Sequence, residues 1–295
     1  MTEAIKPLAS NLDCGRLIAA QNADGGWGYR GGSSWTEPTA YALLALRGQP
    51  EAGPATGRAR KWLLGNQRPN GGFAPKPSVQ ESTWVTALAT LAGCGPDAEA
   101  RAVDWLLSEV NQDSTFLYRL RQWMLGNQSL SEHDAPGWPW YPGTAGWVVP
   151  TSLTILALNK LERKYPGKRI RERLDQGRRF LLVRMCEDGG WNHGSTRALG
   201  FQSVSYPETT GLALLALRGV DRSRLVKSIA KAEEHFRACR SVEGLSWLQL
   251  GFLAQGRPVP AVPADTPART LMDTAVGVIA NHARAGRNVF LEETR

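Results

Sequence analysis

Four acidic residues recur at matching places in this 295-residue chain. They are Glu37 in EPTAYALLALRG, Glu81 in ESTWVTALATLAG, Glu208 in ETTGLALLALRG and Asp273 in MDTAVGVIANHA. Each is followed within one or two residues by threonine and then by an alanine- and leucine-rich run. A single carboxylate at the start of a helix caps it, and the helix dipole keeps it ionised. Several carboxylates gathered in one place can do more: mutual repulsion makes one of them keep a proton, as a general acid must, or the group holds a cation. If the apolar runs are parallel helices of one ring, the four acids share a rim; if they are not, these are four separate caps facing solvent.

A second set of candidates is aromatic. Trp35, Trp84, Trp138, Trp140, Tyr141 and Trp147 fall in connections that lead into the apolar runs, most densely in GWPWYPGTAGW. Prolines and glycines fix such a loop near a cavity mouth, where the rings either pack helix ends or offer π faces to a ligand. The histidines carry less. His133 sits beside Glu132 and Asp134 in SEHDAPGW, His193 lies in the turn GGWNHG, and His235 and His282 fall in helical patterns. Cys14, Cys94, Cys186 and Cys239 are far apart with no CxxC pair, which reads as small buried hydrophobes rather than disulfides or a zinc site. No metal or cofactor is assigned. GxxxxGK[ST], GxSxG and HExxH are absent.

Composition, with 42% hydrophobic and 21% charged residues, is that of a globule with a sizeable core. The start of the chain lacks a basic segment leading into an apolar run, and no stretch approaches the ~18 apolar residues of a membrane span. The expectation is a cytoplasmic protein of one domain, residues 1–295. Part of the +8 charge is local, in KLERKYPGKRIRERLDQGRRF from Lys160 to Phe180. This segment suits a solvated outer helix, or an anionic partner such as a lipid surface or a diphosphate, which leaves peripheral membrane contact open. It lacks interleaved stacking or groove-reading residues, so nucleic acid is not expected.

The elements that must position these residues repeat along the chain. Alanine-rich runs, apolar on nearly every face, alternate with amphipathic segments: GRLIAAQN, GRARKWLLGNQ, EARAVDWLLSEVNQ, RRFLLVRMCED and KSIAKAEEHFRAC. The first kind belongs inside and the second outside. Turns such as DGGW, NGGF and DGGW again place paired glycines where a helix ends and the chain reverses. In this reading the aromatic after the glycines fills the gap between outer helices. Gln21 and Gln67, ahead of Trp27 and Phe73, are placed to cap the outer helix and pack on the ring. Stacked antiparallel helix pairs closing on themselves give an all-α (α/α)6 toroid, with the acid–threonine pairs capping its inner helices.

Gln followed by DGGW and then by the Thr-Ala-x-Ala-Leu-Leu-Ala-Leu helix, as in NADGGWGYRGGSSWTEPTAYALLAL, resembles the QW repeats of squalene-hopene cyclases and the wider terpenoid cyclase and protein prenyltransferase superfamily. The resemblance covers most of the chain and weakens at about residues 112–137 and 240–267. It implies a toroid with an apolar isoprenoid in an aromatic cavity, cyclised by acid catalysis, with Asp273 and one of Glu37, Glu81 or Glu208 as the acid pair. Trp84 and Trp147 would then be the cation stabilisers. TLMDTA is similar to the DxDDTA acid motif of class II cyclases, but Thr270 stands at its first Asp and Met272 at the donating Asp. A non-catalytic scaffold on the same toroid therefore remains a rival. A prenyltransferase-like enzyme is another, although the zinc-binding DxC of that branch is missing. The squalene type implies two toroids where this chain has room for one. Substrate identity and oligomeric state stay open.

Overall fold

The computed structural model describes residues 13–112, 120, 124, 135–162, 164–194, 197–198, 201–260 and 266–291. The trio around His133 lies outside them. Six helices form an inner ring: α2 (Thr36–Ala45), α4 (Val85–Ala92), α6 (Val148–Leu161), α8 (Pro207–Ala216), α10 (Val242–Ala254) and α11 (Leu271–Arg284). Each packs on the next, and α11 returns to α2, so the ring is closed. Five helices lie outside it among the described residues: α1 (Cys14–Ala19), α3 (Gly53–Gly65), α5 (Pro96–Ser108), α7 (Lys168–Val183) and α9 (Val226–Ala238). The architecture is an all-α toroid. Two small hairpins, β1 (Trp27–Gly28) with β2 (Ser34–Trp35) and β3 (Arg197–Ala198) with β4 (Phe201–Gln202), decorate the connections.

The inner helices are buried all round because their sequences carry almost nothing that needs water. Every residue of α2 except Glu37 is buried, and so is every residue of α4. In α10, residues 242–252 are buried except Glu243. The helices α8 and α10 approach backbone to backbone: a Cβ on Gly211 would lie 2.3 Å from the Trp247 carbonyl carbon, and one on Gly251 2.7 Å from the Gly211 oxygen. Only glycine allows that spacing, which in turn fixes where Glu243 and Trp247 stand.

The glycine–aromatic turn explains itself in three copies. Gly25, Gly71 and Gly189 take φ of 94°, 92° and 95°, open only to glycine at little cost. A Cβ on the second glycine (Gly26, Gly72, Gly190) would strike Ser34, Ser82 or Ser205 at 2.5, 2.4 and 2.6 Å from its Cβ. Those serines in turn bond Asp24, Asn70 and Asp188 of the turn. The aromatic that follows is buried, and the indoles of Trp27 and Trp191 donate to the Leu17 and Leu181 carbonyls.

Threonine has a different job from the one its position suggests. The N-caps of α2, α4, α6 and α8 are Trp35, Trp84, Trp147 and Tyr206, none with a side-chain cap. The Thr39, Thr86, Thr151 and Thr210 hydroxyls instead accept the backbone N–H of Trp27, Phe73, Trp138 and Trp191, at 2.8–3.0 Å. They pin the turn to its inner helix. In the second repeat the threonine used is Thr86, not Thr83. Only α11 shows a capping box, and its cap is Thr270, with Asp273 as the reciprocal acid. Gln21 and Gln67 do not simply cap their helices: each amide donates to its turn (Gly25, Gly71) and to the next outer helix (Ala55, Ala98), at 2.8–2.9 Å.

Much of the basic stretch from Lys160 is engaged internally. Lys164 pairs with buried Glu99 at 2.7 Å, and buried Arg173 stacks 3.9 Å over the Trp138 ring while bonding the Glu109 carbonyl. No helix among the described residues is long and apolar enough to cross a membrane.

Candidate functional site

Glutamates in the first turns of α2, α8 and α10 interrupt otherwise buried helices, and Asp273 occupies the first turn of α11. The four helices are consecutive in the ring, so these acids meet at one end of it. Glu243, on α10, is the centre of the group. Burial pushes its carboxyl up first, and the charges of Glu208, Asp273 and Glu37 push it further, against a hydrogen bond with Trp247; it reaches about 7. Burial also raises Glu37, opposed by the hydroxyl of Tyr29, which donates to Glu37 Oε2.

One turn deeper on α10, Trp247 makes an edge contact with Tyr41 of α2 (ring centroids 6.1 Å apart) and a tilted one with Phe290 (5.7 Å). All three rings are buried. Tyr41 stands close enough to feel the charges of Glu37 and Glu243, though burial is the main reason its hydroxyl is held above the usual range. Further polar atoms on the inner helices have no hydrogen-bond partner: Ser152 Oγ of α6, and Ser246 Oγ and both ends of the Gln249 amide of α10. Buried polar atoms normally find a protein group, a water or a ligand.

The residues expected from sequence divide. Glu37, Glu208 and Asp273 come together around Glu243. Glu81 does not join them: it is exposed in the connection before α4, which starts only at Val85, and its charge is not among those acting on Glu243. Asp273 is gathered but occupied, since its Oδ2 accepts the N–H groups of Arg269 and Thr270 at 2.8 and 3.0 Å. Its charge is one of those that raise Glu243.

The aromatic set divides too. Trp35, Trp84 and Trp147 stand at the N-termini of α2, α4 and α6. Trp35 meets Tyr29 edge-on and carries the Lys76 ammonium 4.7 Å above its ring, and Trp84 meets Trp140 edge-on at 4.6 Å. Tyr141 and Trp147 are exposed. Trp138 is not at a mouth: its ring is 2% exposed, its indole donates to the Leu106 carbonyl, and it is the turn aromatic of its repeat. Tyr206 completes the row of aromatic N-caps. Its signal, an aromatic directly before an inner helix, was present in the sequence. His193 stacks near Tyr206 at 5.4 Å, and His235 bonds Ser205 at 2.7 Å. Among the described residues no three His, Cys, Asp or Glu side chains converge on a point that could hold a metal ion.

With this geometry in view, similarities to known proteins are informative. No protein-family model matches the chain. A drimenyl diphosphate synthase from Streptantibioticus cattleyicolor is 41% identical over 98 residues, which cover 29% of this chain and 18% of that protein. The match thus spans under a fifth of the relative's length. In fold, the chain is similar to the type II terpene cyclase MstE from Scytonema (TM-score 0.52, 16% identity, 93% of this chain and 78% of that one). MstE has also been solved with its substrate, geranylgeranyl dihydroxybenzoate. A GH76 α-mannanase from Bacteroides thetaiotaomicron shares the toroid as well (TM-score 0.57, 12% identity, 92% and 95%). At these identities the structural matches establish the fold alone. The local sequence identity to the synthase, added to the toroid, makes the chain terpenoid cyclase-like.

Proposed function

We propose that this protein handles an isoprenoid polyene and cyclises it by acid catalysis, with Glu243 as the proton donor. The observation that carries the reading is a carboxyl kept near neutrality among three further acids, directly above a buried aromatic wall. Glu243 gives its proton to a terminal alkene carbon. The electron pair of that double bond forms the new C–H bond and leaves a tertiary cation. The acids around Glu243 make the proton harder to remove, yet they favour the cation that forms beside them, which is where preorganised charge helps most. Trp247, Tyr41 and Phe290 present π faces worth ~0.5–2 kcal/mol each to a cation shielded from water. Trp84 and Trp147 belong to the same reading as rings at the entrance. Loss of a proton to a neighbouring carboxylate such as Glu208 ends the sequence, so the overall change is an isomerisation and needs no cofactor.

The test is incubation with squalene and with prenyl diphosphates of several lengths, followed by product analysis. A cyclised product that falls by roughly 10²–10⁴-fold in Glu243→Gln is expected. Absence of product from every polyene, or an undiminished rate in that variant, would refute the reading. A second reading, a binding scaffold on the same toroid, is favoured by Met272 and by the engagement of Asp273 in a capping box. It predicts ligand binding without turnover.

A further inference from the structure

Where α1, the Tyr29–Gly31 turn and the first turn of α11 meet, they leave a cleft of about 600 Å³. Leu17, Ala20 and Leu271 give it an apolar side. Arg16, Arg30 and Arg269 give it three cations, and no carboxylate is among its described lining residues. None of the three guanidinium groups has a hydrogen bond or ion pair among the described residues. Like charges sharing a cleft repel one another; the nearest described carboxylates, Asp13 and Asp273, are held by the backbone N–H groups of Arg16 and of Arg269 and Thr270, and not by the guanidinium groups.

A second basic cleft among the described residues shows the contrast. Arg178, Arg179, Arg218 and Arg224 line about 570 Å³ beside α7, but Asp175 and Asp221 line it with them, and Asp175 bonds Arg178 at 3.1 Å. That cleft is partly neutralised by its own residues; the first is not. Arg30 adds a further sign. It is the one non-glycine residue with positive φ among those described (φ 50°, ψ 36°), a conformation that costs an L-residue energy and persists where the surroundings hold it.

An apolar floor beside three guanidinium groups without a hydrogen bond or ion pair among the described residues matches an amphiphile with an anionic head. Guanidinium forks bind phosphate oxygens in pairs, with charge-assisted bonds. We propose that this cleft binds the phosphate-bearing head group of an amphiphilic ligand through Arg16, Arg30 and Arg269. The assignment stands apart from proton transfer at Glu243. The head group has two sources, a prenyl diphosphate in solution or an anionic lipid at a membrane surface, and the experiment separates them.

Calorimetry with inorganic diphosphate and with farnesyl diphosphate, and co-sedimentation with phosphatidylcholine vesicles with or without phosphatidylglycerol, are run on four proteins. These are the wild type, the triple variant Arg16→Gln/Arg30→Gln/Arg269→Gln, Arg30→Gly, and the control Arg218→Gln/Arg224→Gln. The wild type should bind at least one phosphate-bearing probe. The triple variant should lose roughly 100-fold in affinity and Arg30→Gly roughly tenfold, with the control unchanged. Arg30→Gly relieves the left-handed backbone, so its loss cannot be assigned to misfolding. Tighter binding of farnesyl diphosphate than of vesicles names the soluble source, and the reverse names the membrane. Equal losses in the control and the triple variant, unchanged affinity in the triple variant, or no binding of any phosphate probe by the wild type would each overturn the assignment. Glu243→Gln should bind as the wild type does, so failure of the acid reading and failure of this one are told apart.

Discussion

Replacing Glu243 by Gln should make the protein more stable above neutral pH and leave it nearly unchanged in acid. In the folded protein this carboxyl titrates near 7, against 4.5 for an unperturbed glutamate. Between those values the folded state holds a proton that the unfolded chain has released. The contribution of Glu243 is therefore most favourable below pH 4.5 and declines as pH rises through about 7, above which the loss is complete. A gap of some 2.5 units at about 1.4 kcal/mol each makes the cost of ionising Glu243 at most about 3–4 kcal/mol, and less in practice because the side chain is only partly buried. Gln has the same shape and carries no charge to desolvate, but its oxygen accepts more weakly from the Trp247 indole, a loss of under about 1 kcal/mol. Relief of the buried charge wins.

Thermal unfolding of both proteins at several pH values between 4 and 8.5 reads the effect. The difference in Tm should grow from near zero at pH 4 to roughly 4–8 °C above pH 7. Comparing the two proteins cancels the contribution of groups that do not act on Glu243, such as His235, lowered by burial and by Lys231. A pH-independent difference, or a variant less stable at pH 8, would show that Glu243 is ionised and solvated at rest, and the acid assignment would fall with it.

Met272→Asp adds a carboxylate at the start of α11, beside the group around Glu243. Helix-dipole stabilisation of ~0.5 kcal/mol competes with repulsion from the Glu243 carboxylate, on the order of 1–2 kcal/mol for like charges within one helix turn of each other, so the variant should be destabilised at pH 8 in a way that a Glu243→Gln background largely removes. Thr39→Val strips the acceptor from the buried Trp27 N–H and should cost about 1–3 kcal/mol in chemical denaturation, while a value near zero would mean the turn is not pinned through that hydroxyl. Gly211→Ala forces apart α8 and α10 and should cost roughly 3 kcal/mol or more, with Glu243 titrating lower as water enters; an unchanged Tm would contradict the close approach.

The fold was readable because its signals are local and repeated. Paired glycines mark a left-handed turn, and runs without charge mark a helix that no face exposes; both follow from short stretches. Helix α10 escaped that reading because SVEGLSWLQLGFLAQ has neither the preceding glycine–aromatic turn nor the Thr-Ala pattern, and it follows α9 after only Cys239, Arg240 and Ser241. Glu243 was hidden with it. The capping role expected of the threonines was wrong for a reason outside the local sequence: their hydroxyls meet a backbone amide 12–19 residues away, in the turn. Trp138 was misplaced because GWPWYPGTAGW contains both the turn aromatic and the mouth aromatics, and spacing alone does not tell one from the other.

The centre of the acid group, Glu243, lies where the chain departs from the repeat. On α2, α4, α6 and α8 an aromatic precedes the helix and its threonine is committed to the turn, so those helix starts are largely filled. The starts of α10 and α11 have small polar caps, Ser241 and Thr270. The first turn of α10 carries Glu243, which feels the charges of acids from α8, α11 and α2. Burial and those charges raise the Glu243 carboxyl, whereas Glu81 is exposed and its charge is not among those acting on Glu243. Had the repeat been perfect, an aromatic would cover this position. The toroid would then keep its helix ends filled and lose the carboxyl that the proposed acid role rests on.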